Sequence, residues 1–161
     1  MNSAIERLLS LRVSDVMSRN VVSIQAAAAM RQAAGTLTQY FISGAPVVDQ
    51  QGQCVGMLSA IDFVRCVAES TKDAPSESRA DKCNEVRGNR DVCPVPAADS
   101  VATHMSALVQ TVEASQPLTQ AARLMCENHI HRLVVLDRQG HPAGMLTSLD
   151  IVAAMINAVE E

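Results

Sequence analysis

Apolar and polar positions along residues 13–64 follow an order that recurs, without a gap, along residues 101–152. Each stretch opens with a short apolar strand, Val21-Val22-Ser23-Ile24 in the first and Val109-Gln110-Thr111-Val112 in the second. A helix is predicted next. Met30, Ala33, Ala34, Leu37 and Phe41 share one face at helical spacing, and Leu118, Ala121, Ala122 and Met125 do the same in the second stretch. Two strands then flank a tight turn: Pro46 to Val48, the turn Asp49-Gln50-Gln51-Gly52, and Gln53 to Leu58. The second stretch reads Leu133 to Leu136, Asp137-Arg138-Gln139-Gly140, and His141 to Leu146. Asp opening and Gly closing a four-residue segment is turn chemistry. A second helix starts near Ser59 or Thr147.

The overlay of Val13 on Val101 keeps register through Met17-Ser18 on Met105-Ser106, Gly56-Met57-Leu58 on Gly144-Met145-Leu146, and Asp62 on Asp150. About a third of the overlaid positions are identical, which marks an internal duplication. The predicted order is β-α-β-β-α, twice, giving an α/β (α+β) fold of two pseudo-twofold related motifs packed through their sheets. The first strand should lie beside the hairpin, with helices on one face. Along the chain this gives a first motif with its N-terminal segment at 1–70, a linker at 71–98, and a second motif at 99–161. The linker matches neither copy and is rich in charge, Ser, Pro, Ala and Asp. The last helix is apolar on nearly every side, from Leu149 through Val159. It needs cover beyond its own sheet, from the other copy or from a second chain, which points to a homodimer.

Composition narrows the function. With 161 residues, neither repeat is large enough to fold comfortably alone, so the two should share a core. Tyr40, Phe41 and Phe63 are the only aromatic residues and the formal charge is −4. That is poor material for stacking bases or neutralising a phosphate backbone, so no nucleic acid is expected as partner. No run of ~18 apolar residues occurs, so no membrane span is expected. Five cysteines at irregular spacings fit a reduced, cytoplasmic protein better than a disulfide framework.

The candidate chemistry lies at the strand-to-helix junctions, Gly56-Met57-Leu58-Ser59-Ala60-Ile61-Asp62 and Gly144-Met145-Leu146-Thr147-Ser148-Leu149-Asp150. Gly in a strand permits close approach of a ligand. Ser or Thr offers a hydroxyl, a helix N-terminus favours an anion, and the Asp can accept hydrogen bonds from a vicinal diol. Together these suit a ribose-phosphate. Ser/Thr-x-x-Asp is equally a helix capping box that needs no ligand, and both readings stand at this level. Cys126, His129 and His131 straddle a helix end and a strand start without a fourth ligand, so no metal site is expected there. Cys83 and Cys93 read as exposed thiols or a redox-labile bridge. No nucleophile with a partner base is evident, so no catalytic residue is assigned and no enzyme is expected.

The ordered set resembles a pair of CBS domains, the tandem arrangement called a Bateman module. The matching stretches are Val13-x-Asp15-Val16-Met17, Ile42-Ser43-Gly44-Ala45-Pro46-Val47-Val48-Asp49 and Gly56-Met57-Leu58-Ser59-x-x-Asp62. In the second copy they are His104-Met105, Ile130-His131-Arg132-Leu133-Val134-Val135-Leu136-Asp137 and Gly144-Met145-Leu146-Thr147-x-x-Asp150. The resemblance implies a stand-alone regulatory module with two clefts between the copies. It implies an adenosine ligand, AMP, ADP or ATP ahead of S-adenosylmethionine or NAD, with no cofactor required. It also implies a regulated partner protein that the sequence does not identify. One cleft would use Thr147 and Asp150 with Met17, Val22, Ile42 and Ser43. The other would use Ser59 and Asp62 with Met105, Gln110 and Ile130. His131-Arg132 stands where the first copy has Ser43-Gly44, and the forked positive charge of Arg suits phosphate. The Thr147/Asp150 cleft is therefore expected to be the better site. A ligand-free interaction scaffold and a cysteine-based redox or metal sensor are the alternatives.

Overall fold

The computed structural model describes residues 2–70 and 99–160. The expectations for the 71–98 linker, with Cys83 and Cys93, fall outside the described residues. The chain runs α1 (Asn2–Ser10), α2 (Val13–Val16), β1 (Ile24–Gln25), α3 (Met30–Gln39), β2 (Gly44–Val48), β3 (Cys54–Ser59) and α4 (Ala60–Ser70). It resumes with α5 (Val101–His104), β4 (Thr111–Glu113), α6 (Leu118–Asn128), β5 (Arg132–Leu136), β6 (Pro142–Thr147) and α7 (Ser148–Glu160). These elements form two three-stranded sheets of order β1-β2-β3 and β4-β5-β6. In each, the first strand is parallel to the second and the second antiparallel to the third. This is the predicted α+β arrangement.

The sequence explains the sheets. All five residues of β2 are buried, as befits a central strand written as a continuous apolar run. Asp49 Oδ1 accepts from the amides of Gln51 and Gln53 at 2.9 Å, and Gly52 takes a φ of 81°. Asp137 and Gly140, with a φ of 85°, repeat that turn.

Both first strands begin later than the apolar pattern predicts. Val21 and Val22 precede the ladder, and Val22 instead faces a cleft. Phe41 also departs from expectation. α3 ends at Gln39, and the Ile42 amide reaches the Leu37 carbonyl while the Phe41 amide reaches that of Thr38. This helix stop holds its penultimate residue in the left-handed region and ordinarily uses Gly. Phe41 occupies it at a φ of 53°, 97% exposed, so it is not part of the buried helix face. His129, its repeat equivalent, has the same φ of 53°.

In space the lead-in segments are exchanged. Val13 and Met17 pack into a core with Val112, Leu118, Leu133, Val135 and Leu146 of the second copy. Val101 and Met105 pack with Ile24, Met30, Val47 and Leu58 of the first. Paired amides and carbonyls bind Ser18 to Met145 and Met57 to Ser106, all at 2.9 Å. A side chain at Gly144 would collide with the Met17 sulfur, and one at Gly56 with that of Met105. Glycine at these strand positions is what lets each lead-in seat on the opposite sheet.

The apolar last helix receives part of its cover from an unpredicted source, α1. Ile5, Leu8 and Leu9 line a small apolar hollow with Ile151 and Met155. Leu149 and Val159 remain 77% and 73% exposed.

Candidate functional site

A cleft of about 320 Å³ opens where the two copies meet. The first copy contributes Val22, Phe41, Ile42 and Ser43; the second contributes Arg132, Thr147 and Asp150. The lead-in to β1, the α3–β2 corner and the end of β6 converge here because Gly44 and Arg132 occupy equivalent strand starts on either side of the pseudo-twofold axis. An ideal Cβ at Gly44 would lie 2.6 Å from Arg132 Nη1. Arg132 Nη2 donates to Ser43 Oγ at 2.7 Å, which fixes the guanidinium over the cleft.

The capping box is present in both copies. Asp150 Oδ2 accepts from the Thr147 amide and hydroxyl, each at 2.7 Å, and Asp62 Oδ2 accepts from the Ser59 amide at 2.7 Å and hydroxyl at 2.8 Å. The two carboxylates differ in what remains. Asp62 is 3% exposed, and its Oδ1 lies 3.5 Å from Arg65 Nη1. Position 153, the repeat equivalent of Arg65, is Ala. Asp150 is half-buried and faces the cleft with one carboxylate oxygen outside the box.

The helix start supplies less to an anion than its sequence suggests. The Ser148 amide donates to the His131 carbonyl at 3.0 Å, and the Asp150 amide to Thr147 Oγ1 at 3.3 Å. With the Thr147 amide also engaged, most first-turn donors are taken, and Arg132 is the group left to meet negative charge.

Of the residues read from sequence, Val22, Ile42, Ser43, Arg132, Thr147 and Asp150 are brought together. Met17 lies behind them in the core, against Gly144. His131 is exposed and serves through its carbonyl. In the second set, Met105 packs beside Gly56, Ile130 lies against the second core, and the exposed Gln110 accepts the Val134 amide at 3.3 Å. Phe41 was missed as a cleft residue. Its apolar character merged with the helix pattern, and only recognition of the helix stop at Tyr40–Ile42 separates it.

Fold and cleft define a module of two duplicated motifs whose interface, rather than either half, forms the cleft. The family model for the CBS domain matches residues 13–69 and 98–157. The chain belongs to the CBS domain family, as a tandem pair. A homoserine O-acetyltransferase of Methanocorpusculum labreanum is 29% identical over 141 residues, which is 88% of this chain and 23% of that relative. The chain therefore spans about a quarter of that protein's length. Among solved structures, CBSX2 in complex with AMP is similar at TM-score 0.71 and 23% identity, covering 94% of this chain and 100% of that one. The CBS domain pair of protein MJ0100, in complex with 5′-methylthioadenosine and S-adenosyl-L-methionine, is similar at TM-score 0.69 and 19% identity, covering 94% and 98%. At these identities the likeness concerns the fold. Among the described residues, no helix is long and apolar enough to cross a membrane.

Proposed function

We propose that this chain is a regulatory module, not an enzyme, that binds an adenine nucleotide in the Thr147/Asp150 cleft. The observation that carries the reading is the Arg132–Ser43 hydrogen bond, which holds a permanent cation from one copy against the other above Asp150. The adenine lies between Val22, Ile42 and the exposed ring of Phe41. Asp150 accepts from the ribose hydroxyls, with Thr147 beside it. Arg132 meets the phosphate, in place of the occupied helix amides. A volume of about 320 Å³ is sufficient for a mononucleotide, since small-molecule sites run roughly 300–1,000 Å³. Related folds crystallised with AMP, 5′-methylthioadenosine and S-adenosyl-L-methionine support an adenosine ligand. Ligand contacts both copies, so binding shifts their relative arrangement, and a partner protein reads that shift.

The module acts as a homodimer through α4 and α7. Leu149, Val152, Ile156 and Val159 form one exposed stripe on α7, and Ile61 and Val64 of α4 occupy the repeat-equivalent places of Leu149 and Val152. Burying such stripes needs a second copy.

A thermal-shift panel of AMP, ADP, ATP, S-adenosylmethionine and NAD tests the reading. A ligand at 100 times its dissociation constant stabilises the chain by about 2.7 kcal/mol. If no adenosine compound shifts the transition, the proposal fails and the scaffold alternative takes its place.

A further inference from the structure

We propose that Cys66, Asp99 and His104 form a binding site for a borderline divalent transition metal, zinc above all. The site lies away from the nucleotide cleft, where α4 meets α5, and its argument is independent of the cleft's function. His104 Nε2 stands 2.9 Å from Asp99 Oδ2 and 3.7 Å from Cys66 Sγ, and the three ligand atoms all lie within 4.8 Å of one another. Tetrahedral zinc with ordinary Zn–N, Zn–O and Zn–S bonds sets its nitrogen, oxygen and sulfur ligands about 3.4–3.6 Å apart. The His104–Cys66 edge, at 3.7 Å, is close to that spacing, the His104–Asp99 edge would have to open by about half an ångström, and the Cys66–Asp99 edge is within 4.8 Å.

Both neighbours meet the same ring nitrogen. If Nε2 carries a proton, it donates to the carboxylate and has no lone pair for the thiol. If it does not, it accepts from the thiol and confronts the carboxylate with its lone pair. A cation between the three atoms would take the imidazole lone pair, the thiolate and the carboxylate together. The same geometry argues against a nucleophile-base-carboxylate relay, which would use both ring nitrogens, and Cys66 is fully buried.

The duplication supplies a second, independent observation. The repeat equivalents of Cys66, Asp99 and His104 are Ala154, Leu11 and Val16. Those three also lie together, lining one hollow beside α7. The fold at this corner is therefore satisfied by small and aliphatic side chains. The first copy carries a thiol, a carboxylate and an imidazole instead, which packing does not require. The frame holding them is fixed: the Asp99 carbonyl accepts the Met30 amide at 2.9 Å, His104 closes α5, and Cys66 sits on α4. Three protein ligands leave one coordination position for water or another donor. Bound metal would clamp the lead-in of the second copy onto the last helix of the first.

The test uses the full chain, stripped with a chelator and dialysed free of it. Zinc titration is expected to show one equivalent bound per chain and a higher melting temperature. Cobalt is expected to give a near-ultraviolet thiolate-to-metal band. Cys66→Ala and His104→Val copy the other repeat, so they should keep the wild-type circular dichroism spectrum. Each should lose the cobalt band or weaken zinc binding by about tenfold or more. Cys126→Ala should change neither. If the wild-type chain takes up no zinc, or if the folded variants bind it as wild type does, the site is refuted. Should Cys66→Ala fail to fold, His104→Val and Asp99→Leu decide the question by the same readouts.

Discussion

Arg132 and Ser43 lie 89 residues apart and are joined by a 2.7 Å hydrogen bond from guanidinium to hydroxyl. The contact crosses the pseudo-twofold axis and breaks its symmetry, because Gly44 holds the place equivalent to Arg132. The two halves are built alike, yet only one side of their interface receives this positive charge.

Arg132→Ala should weaken AMP binding by about 1.5–3 kcal/mol, the range for hydrogen bonds to a charged group. Ser43→Ala removes only the brace and should cost less. Calorimetric titration of both variants measures the difference, and equal losses would contradict the assignment of Arg132 to phosphate.

Asp150 and Asp62 should separate by role. Asp150→Ala is expected to lose about 1–3 kcal/mol of nucleotide binding. Asp62→Ala should leave binding nearly intact but lose about 0.5–2 kcal/mol of folding stability, since its buried carboxylate caps α4 and lies 3.5 Å from the exposed Arg65 guanidinium. Denaturant titration alongside calorimetry reads both effects.

Phe41 holds a position that favours Gly, at a φ of 53° and with its ring almost wholly in solvent. Phe41→Gly should raise stability by about 1 kcal/mol through release of backbone strain. It should also lower nucleotide affinity through loss of the stacking ring. A variant more stable and equally tight would remove Phe41 from the site.

Glutamate at both Leu149 and Val159 should convert a dimer to a monomer, read as a halved mass by sedimentation. The stripe is already exposed, so the fold should persist.

The Asp137 carboxyl is held below its ordinary value, chiefly by the His141 amide, with the Gln139 amide and the His141 ring assisting. A carboxylate with a lowered folded pKa stabilises above its unfolded value and loses that contribution as pH falls through the folded one. Asp137→Asn should therefore flatten the fall in stability on acidification below about pH 4. A slope identical to wild type would exclude this turn as a contributor.

Much of the architecture was legible because the duplication let each motif confirm the other. The turns at Asp49 and Asp137, the central strands and the capping boxes all follow from local pattern. Periodicity did not separate Phe41 from its helix, because one apolar side chain at the right spacing reads the same on either side of a helix stop. The exchange of the lead-ins was hidden too: Val13 and Val101 look equally apolar whichever sheet they cover. The Cys66, Asp99 and His104 cluster was beyond reach for the same reason, since Cys66 lies far in sequence from the Asp99–His104 pair and meets it only through that exchange. Of the residues that line the cleft, Thr147 and Asp150 were readable from the local motif, and Val22, Ile42, Ser43 and Arg132 by position from the family resemblance, whereas the occupied helix amides depended on hydrogen bonds that sequence does not display.

The most direct test is backbone NMR of the full chain during AMP titration. Amide shifts concentrated at Val22, Ile42, Ser43, Thr147 and Asp150, with Ser59 and Asp62 little changed, are the expected result. Saturating AMP that leaves the first group still, or moves the second instead, would contradict the account.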